Sequence, residues 1–158
     1  MTWAKNGTTT LTGTADTIDN TFDSSLKFNV QLTHKLASGD SKTGITFDDS
    51  SSSDYARRMS TDGLGDVTGT SISVIPATLN AGVDQFDIGY FINITTEEKL
   101  YIGFGVSVGV AGAGNAPRRN EVTFKQAQTS TQIASYTITN DTTGDYAVDT
   151  NVSNLGTD

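Results

Sequence analysis

Two stretches near the middle of the chain alternate strictly. Phe86, Ile88, Tyr90, Ile92 and Ile94 take every second position, and Leu100, Ile102, Phe104, Val106 and Val108 repeat the pattern after the polar link Thr95–Lys99. Period two places successive side chains on opposite faces of a strand. Two such runs joined by a short polar link predict a central antiparallel hairpin. The apolar face of each is expected to be the buried one. Gly103 and Gly105 then fall on the solvent face, where something packs closely or the strand bulges.

The same period recurs along the chain. Leu26, Phe28, Val30 and Leu32 form another one-faced strand, and Thr43, Ile45 and Phe47 a shorter one. Ile72 and Val74 lead to Pro76, which marks a strand end or an edge. Val122 and Phe124 follow, then Tyr136 and Ile138, whose phase breaks with Ile133 and predicts a bulge or a register change near Ala134. Asn140–Asp145 reads as a turn, and Tyr146, Val148 and Val152 as a closing strand. Short strands are expected around Thr8–Leu11 and Ala15–Ile18, and a single short helix over Ala127–Ile133. Composition agrees: 26 Thr, 15 Ser and 16 Gly against 2 Pro favour strands and turns. About eight to ten antiparallel strands without helical units between them predict an all-β sandwich or barrel. No linker or internal repeat divides the chain. It reads as one domain, with residues 1–24 an arm of short strands and 25–156 the sandwich core.

Charge and composition narrow the function. A net charge of −8 repels phosphate backbones and argues against nucleic acid. Absence of cysteine removes disulfides, thiolate metal sites and thiol nucleophiles. The polar start has no secretory pattern, and no window approaches about 18 apolar residues. The expectation is a soluble chain with no membrane insertion, which stays inside the cell that makes it or leaves by assembly or lysis.

Chemistry-bearing patterns are sparse. His34 is the single histidine, with no nucleophile or third group beside it in the sequence. The carboxylate pairs Asp48/Asp49, Asp19/Asp23 and Glu97/Glu98 read as solvated turn charges, so a glycan hydrolase is a remote alternative. Asp48, Asp49 and Asp54 form a weak calcium candidate without the ordered spacing of a known loop. Gly109–Gly114 matches no nucleotide-loop spacing. Sequons at Asn6, Asn93, Asn140 and Asn151 are little more than the Ser and Thr content produces. Arg57, Arg58, Arg118 and Arg119 are candidates for an ion-pair patch against acidic loops or a neighbouring subunit. Tyr55 and Trp3 are the candidate aromatic ligand contacts. No catalytic residue, cofactor or metal is assigned.

Several segments, in order, resemble a known pattern. Ile45-Thr46-Phe47-Asp48-Asp49 precedes a Ser-rich turn and Ser53-Asp54-Tyr55-Ala56-Arg57-Arg58. Then come Asn93-Ile94, Gln128-Thr129-Ser130-Thr131-Gln132-Ile133 with Tyr136-Thr137-Ile138, and Asp145-Tyr146-Ala147-Val148-Asp149 leading to Asn154-Leu155-Gly156. The series resembles the jelly-roll domain of phage and virus virion surface proteins. Asp54 stands where that pattern has Asn, and no aromatic precedes Gly156. The resemblance implies a jelly roll and a virion structural role: a capsid decoration, spike or fibre-type subunit that self-assembles with other virion proteins. A carbohydrate- or host-receptor-binding module is the alternative.

Overall fold

The computed structural model describes residues 2–48, 50, 52–76 and 82–158. Among them no residue is helical. The strands are β1 (Ala4–Thr10), β2 (Thr17–Thr21), β3 (Phe28–Lys35), β4 (Ala37–Ser38), β5 (Thr43–Phe47), β6 (Tyr55–Thr61) and β7 (Val67–Ile72), then β8 (Ile75–Pro76), β9 (Gln85–Ile92), β10 (Lys99–Ser107), β11 (Arg118–Gln126), β12 (Ser135–Asn140), β13 (Asp145–Tyr146) and β14 (Asn151–Thr157). They form an eight-stranded sheet in the order β1-β14-β3-β9-β10-β11-β6-β7, a four-stranded sheet in the order β2-β12-β5-β8, and the small pair β13-β4. Every described strand pairing is antiparallel. The chain is an all-β sandwich, as its periodicity predicts. Pro76 lies on an edge strand, where its missing N–H breaks no ladder.

The core lies between the two sheets. Ile18, Ile45, Phe47, Tyr136 and Ile138 come from the smaller sheet, and Met59, Phe91, Tyr101, Val122 and Phe124 from the larger. Aromatic rings hold the centre. Tyr101 stacks on Phe124 with centroids 4.3 Å apart, and Phe47 reaches Phe91 at 5.2 Å and Phe124 at 5.5 Å. Buried tyrosines also join the layers. The Phe47 amide donates to Tyr55 Oη at 2.8 Å, bridging β5 and β6, and Tyr136 Oη donates to the Ser153 carbonyl at 3.1 Å, bridging β12 and β14. Asn93, fully buried, clamps the loop before β12. Its amide donates to Ile133 O at 2.8 Å and its carbonyl accepts from Ile133 N–H at 2.7 Å.

The structure inverts one expectation. On β3, β9 and β10 the regular apolar face looks outward. The inward positions are Asn29, Gln31, Thr33 and Lys35 on β3, Gln85, Asp87, Gly89 and Phe91 on β9, and Lys99, Tyr101, Gly103, Gly105 and Ser107 on β10. Gly103 and Gly105 are therefore interior residues. The close packing expected at them is real and comes from within. The Tyr101 ring lies back across Gly103 and Gly89, and the Asp87 and Asn120 side chains lie over Gly105.

Two smaller expectations also change. Residues 127–134 form an irregular loop rather than a helix, stitched by the Thr131 amide donating to Gln128 Oε1 at 3.1 Å. The phase break at Ala134 is the end of that loop, with β12 starting at Ser135, not a bulge within a strand. β6, unrecognised in the sequence, carries Arg57 at an inward position, which breaks its apolar alternation.

Because the Tyr101 ring occupies the space over Gly89 and is pinned by Phe124, a methyl group there cannot be accommodated by a small shift. Gly89→Ala is expected to destabilise the fold by about 2–3 kcal/mol. Gly13→Ala, whose added carbon meets nothing within 4 Å, is expected to stay within about 0.5 kcal/mol of the parent. Urea unfolding of the two variants checks the contrast.

Candidate functional site

The ladder registers lay out the outer face of the larger sheet as a grid. One row runs Leu155, Val30, Tyr90, Ile102, Thr123, Arg58 from β14 to β6, and the next runs Ser153, Leu32, Ile88, Phe104, Glu121, Ser60. A third runs Asn151, His34, Phe86, Val106, Arg119. The three central columns, from β3, β9 and β10, are apolar apart from His34. The flanking columns are polar apart from Leu155. Leu100 and Ile102 are each 51% exposed, Phe104 49%, Tyr90 47% and Phe86 45%. Trp3, before β1, and Val108, after β10, extend the patch. At aromatic areas of 150–250 Å² per side chain, the exposed apolar surface is on the order of 800 Å². The largest such patch on a typical monomer is about 300–600 Å².

The face is corrugated. A groove of about 450 Å³ at one end is lined by Trp3, Phe28, Tyr90, Leu100 and Ile102 among others. A depression of about 290 Å³ at the other end lies among His34, Asp84, Phe86, Val106 and Pro117. Ser107 also lines the second depression, so a histidine, a carboxylate and a hydroxyl border it. The groove at the Trp3 end is bordered mainly by apolar side chains.

Charge on the flanking columns is matched locally. Arg58 pairs with Asp66 at 2.7 Å, Lys125 with Glu98 at 2.8 Å and Arg119 with Glu121 at 3.5 Å. Arg118 Nε lies 2.8 Å from Asp62, whose other oxygen accepts the Arg119 amide at 2.9 Å. These bonds hold the Asp62 carboxyl below the usual range. Three of the four candidate arginines thus meet acids of their own chain. Arg57 points inward along β6 toward Met59 Sδ, and burial lowers its pKa.

The remaining candidates sit apart from the face, except Trp3. Tyr55 is in the core, not at a loop tip, with burial pushing its hydroxyl up to about 12. Asp48 Oδ1 accepts the amides of Ala134 and Ser135 at 2.8 and 2.9 Å, so it caps the start of β12. Asp54 accepts weakly from Ser50 Oγ at 3.4 Å, and Asp49 lies outside the described residues. Among the described residues no group of three metal-ligating side chains comes together. Of the other acids, Asp19 accepts from Thr137 at 2.7 Å and Asp23 from the Ser25 amide at 2.9 Å. Of the sequon asparagines, Asn93 and Asn140 are buried, Asn6 Oδ1 accepts the Asp23 amide and Asn151 Nδ2 donates to Thr10 Oγ1.

Sequence reasoning missed a buried polar layer on the inner face. Lys35 Nζ donates to the Ser41 carbonyl at 2.9 Å, and Gln85 Nε2 to Asp87 Oδ1 at 2.5 Å. Desolvation pushes Asp87 up to about 7 despite Gln85, the positive charge of Lys35 and a bond from Asn120, and it lowers Lys35. Asp16 and Asp145, far apart in sequence, also share a hydrogen bond, which raises the pKa of Asp16. Both arrangements come from strand pairing and leave no local motif.

The chain has no match among protein-family models, curated proteins or solved structures.

The raised Asp87 pKa makes stability depend on pH. The folded chain holds a proton there that the unfolded chain has released above about pH 4. The contribution is full below about pH 4 and is lost as pH rises to about 7, at roughly 1 kcal/mol per unit. Asp87→Asn is expected to flatten that slope. Urea midpoints measured from pH 4.5 to 7.5 check it, and an unchanged slope removes Asp87 as its source.

Proposed function

We propose that this chain is a virion structural protein, a capsid decoration, spike or fibre-type surface subunit that self-assembles. The observation that carries the reading is the apolar outer face of the larger sheet. A subunit that works only when assembled keeps such a face covered, whereas a free monomer exposing it invites non-specific association. The ordered motif resemblance and the sandwich support the same reading.

The strand orders also favour a jelly roll. In that fold, eight strands taken in order divide into sheets of first, eighth, third, sixth and second, seventh, fourth, fifth. The smaller sheet, β2-β12-β5-β8, follows the first series. The larger follows the second if the β9-β10-β11 meander stands in the place of the seventh strand and β1 with β14 extend its edge. An odd number of strands preserves the direction of the strand replaced, so such an expansion leaves the fold intact.

A carbohydrate- or receptor-binding role has one observation in its favour, the aromatic groove at Trp3, Phe28 and Tyr90. A sugar also needs hydrogen-bond partners. Asn29, which lines that groove, is buried and accepts from Asn154 at 2.8 Å, leaving the Tyr90 hydroxyl and the Trp3 indole N–H as the groove's exposed hydrogen-bonding groups. Apolar assembly fits the groove better.

An antibody against the recombinant chain, applied to gradient-purified particles from the source culture, is expected to decorate them at regular positions in electron micrographs. Signal confined to the soluble fraction overturns the reading. Binding of the isolated chain on a glycan array, with unlabelled particles, transfers it to the alternative.

A further inference from the structure

We infer that the apolar outer face packs on the same face of a second copy of this chain, about a two-fold axis lying in the face and running across the strands. The inference rests on the reading of the chain as an assembly subunit and names the partner of that face. Three observations favour a second copy.

The first is area. The exposed apolar surface is on the order of 800 Å², which is what each partner of a standard stable interface contributes. Two sheets meeting face to face, about 10 Å apart, bury such a surface completely. The apolar centre between polar columns has the layout of an interface core with its rim.

The second is charge. The chain carries −8, so two copies repel through most of their surface. On this face Arg58, Arg119 and Lys125 are each paired with an acid of their own chain. The grid leaves no unpaired carboxylate in its central columns. The central columns of two copies can therefore meet without bringing carboxylates together. A basic partner would find its complement elsewhere on the molecule.

The third is shape. The 450 Å³ groove lies at the Phe28 and Leu100 end of the strands, while Phe86 and Phe104 project nearer the other end, each close to half exposed. A two-fold axis across the strands reverses one copy over the other. It sets the groove end of each on the projecting phenylalanines of its partner, so both ends are filled by one operation.

Sedimentation velocity of the full chain from 1 to 100 µM tests the pairing. The wild type is expected to run at twice the 16.7 kDa of the monomer. Ile102→Glu, which places an unpaired charge in the centre, is expected to weaken the dimer by at least about 100-fold with an unchanged far-UV spectrum. The absence of cysteine allows a second measurement that does not depend on that variant folding. Ile88→Cys treated with a short bismaleimide is expected to give covalent dimers, and Gly13→Cys is not. A wild-type monomer at 100 µM overturns the pairing, as does a dimer that Ile102→Glu leaves intact and Ile88→Cys does not cross-link. Either result leaves the virion reading to particle labelling, which does not depend on the chain's state in solution.

Discussion

The register between β10 and β11 decides what this protein shows to the outside. Tyr101 lies opposite Phe124 and Gly103 opposite Val122. Residues paired across a ladder share a face. β11 alternates Val122 and Phe124 with Glu121, Thr123 and Lys125, so its apolar side must face the core. β10 then has no choice. Tyr101, Gly103 and Gly105 go in, and Leu100, Ile102, Phe104 and Val106 come out. The same parity passes through β9 to β3, and a one-residue slip at any ladder would reverse it.

This parity would overfill the interior if the inward residues beside Tyr101 carried ordinary side chains. Instead three glycines, at 89, 103 and 105, make a shallow trough in the middle of the larger sheet. The Tyr101 ring fills most of it and is held by stacking on Phe124. Asp87 and Asn120 fill the rest. The polar layer around Lys35, Gln85 and Asp87 is the consequence of spending the apolar positions of these strands on the outer face. Its groups are desolvated, and they make the fold sensitive to pH in a range where exposed carboxylates no longer titrate.

The proposed function rests on where surface properties are placed more than on any single side chain. The acidic character of the chain lies away from the central columns of the larger sheet, which present aromatic and branched side chains over a continuous area. Matched ion pairs border that area. On the proposed reading this corrugated face meets its copy by shape and apolar burial, which salt screens little.

Much of the architecture was legible in the sequence. Period two located β3, β5, β9, β10, β11 and β12 because alternation is a local property of each strand. The scarcity of helix formers and of helical spacing excluded helices, apart from the loop at 127–134. Arg58, Arg118 and Arg119 were legible as ion-pair residues, but their partners were not, since Asp62 and Asp66 reach them only through the β6–β7 and β6–β11 pairings; the inward turn of Arg57 was not legible. Tyr55 looked like a surface aromatic because its neighbours are polar, and only the packing of β6 under β5 buries it. What the sequence by itself determined is which side chains share a face. Which face looks inward depends on the partner strand and its register. Only the tertiary structure decided that, and in doing so it turned the predicted core of β3, β9 and β10 into the surface on which the proposed function rests.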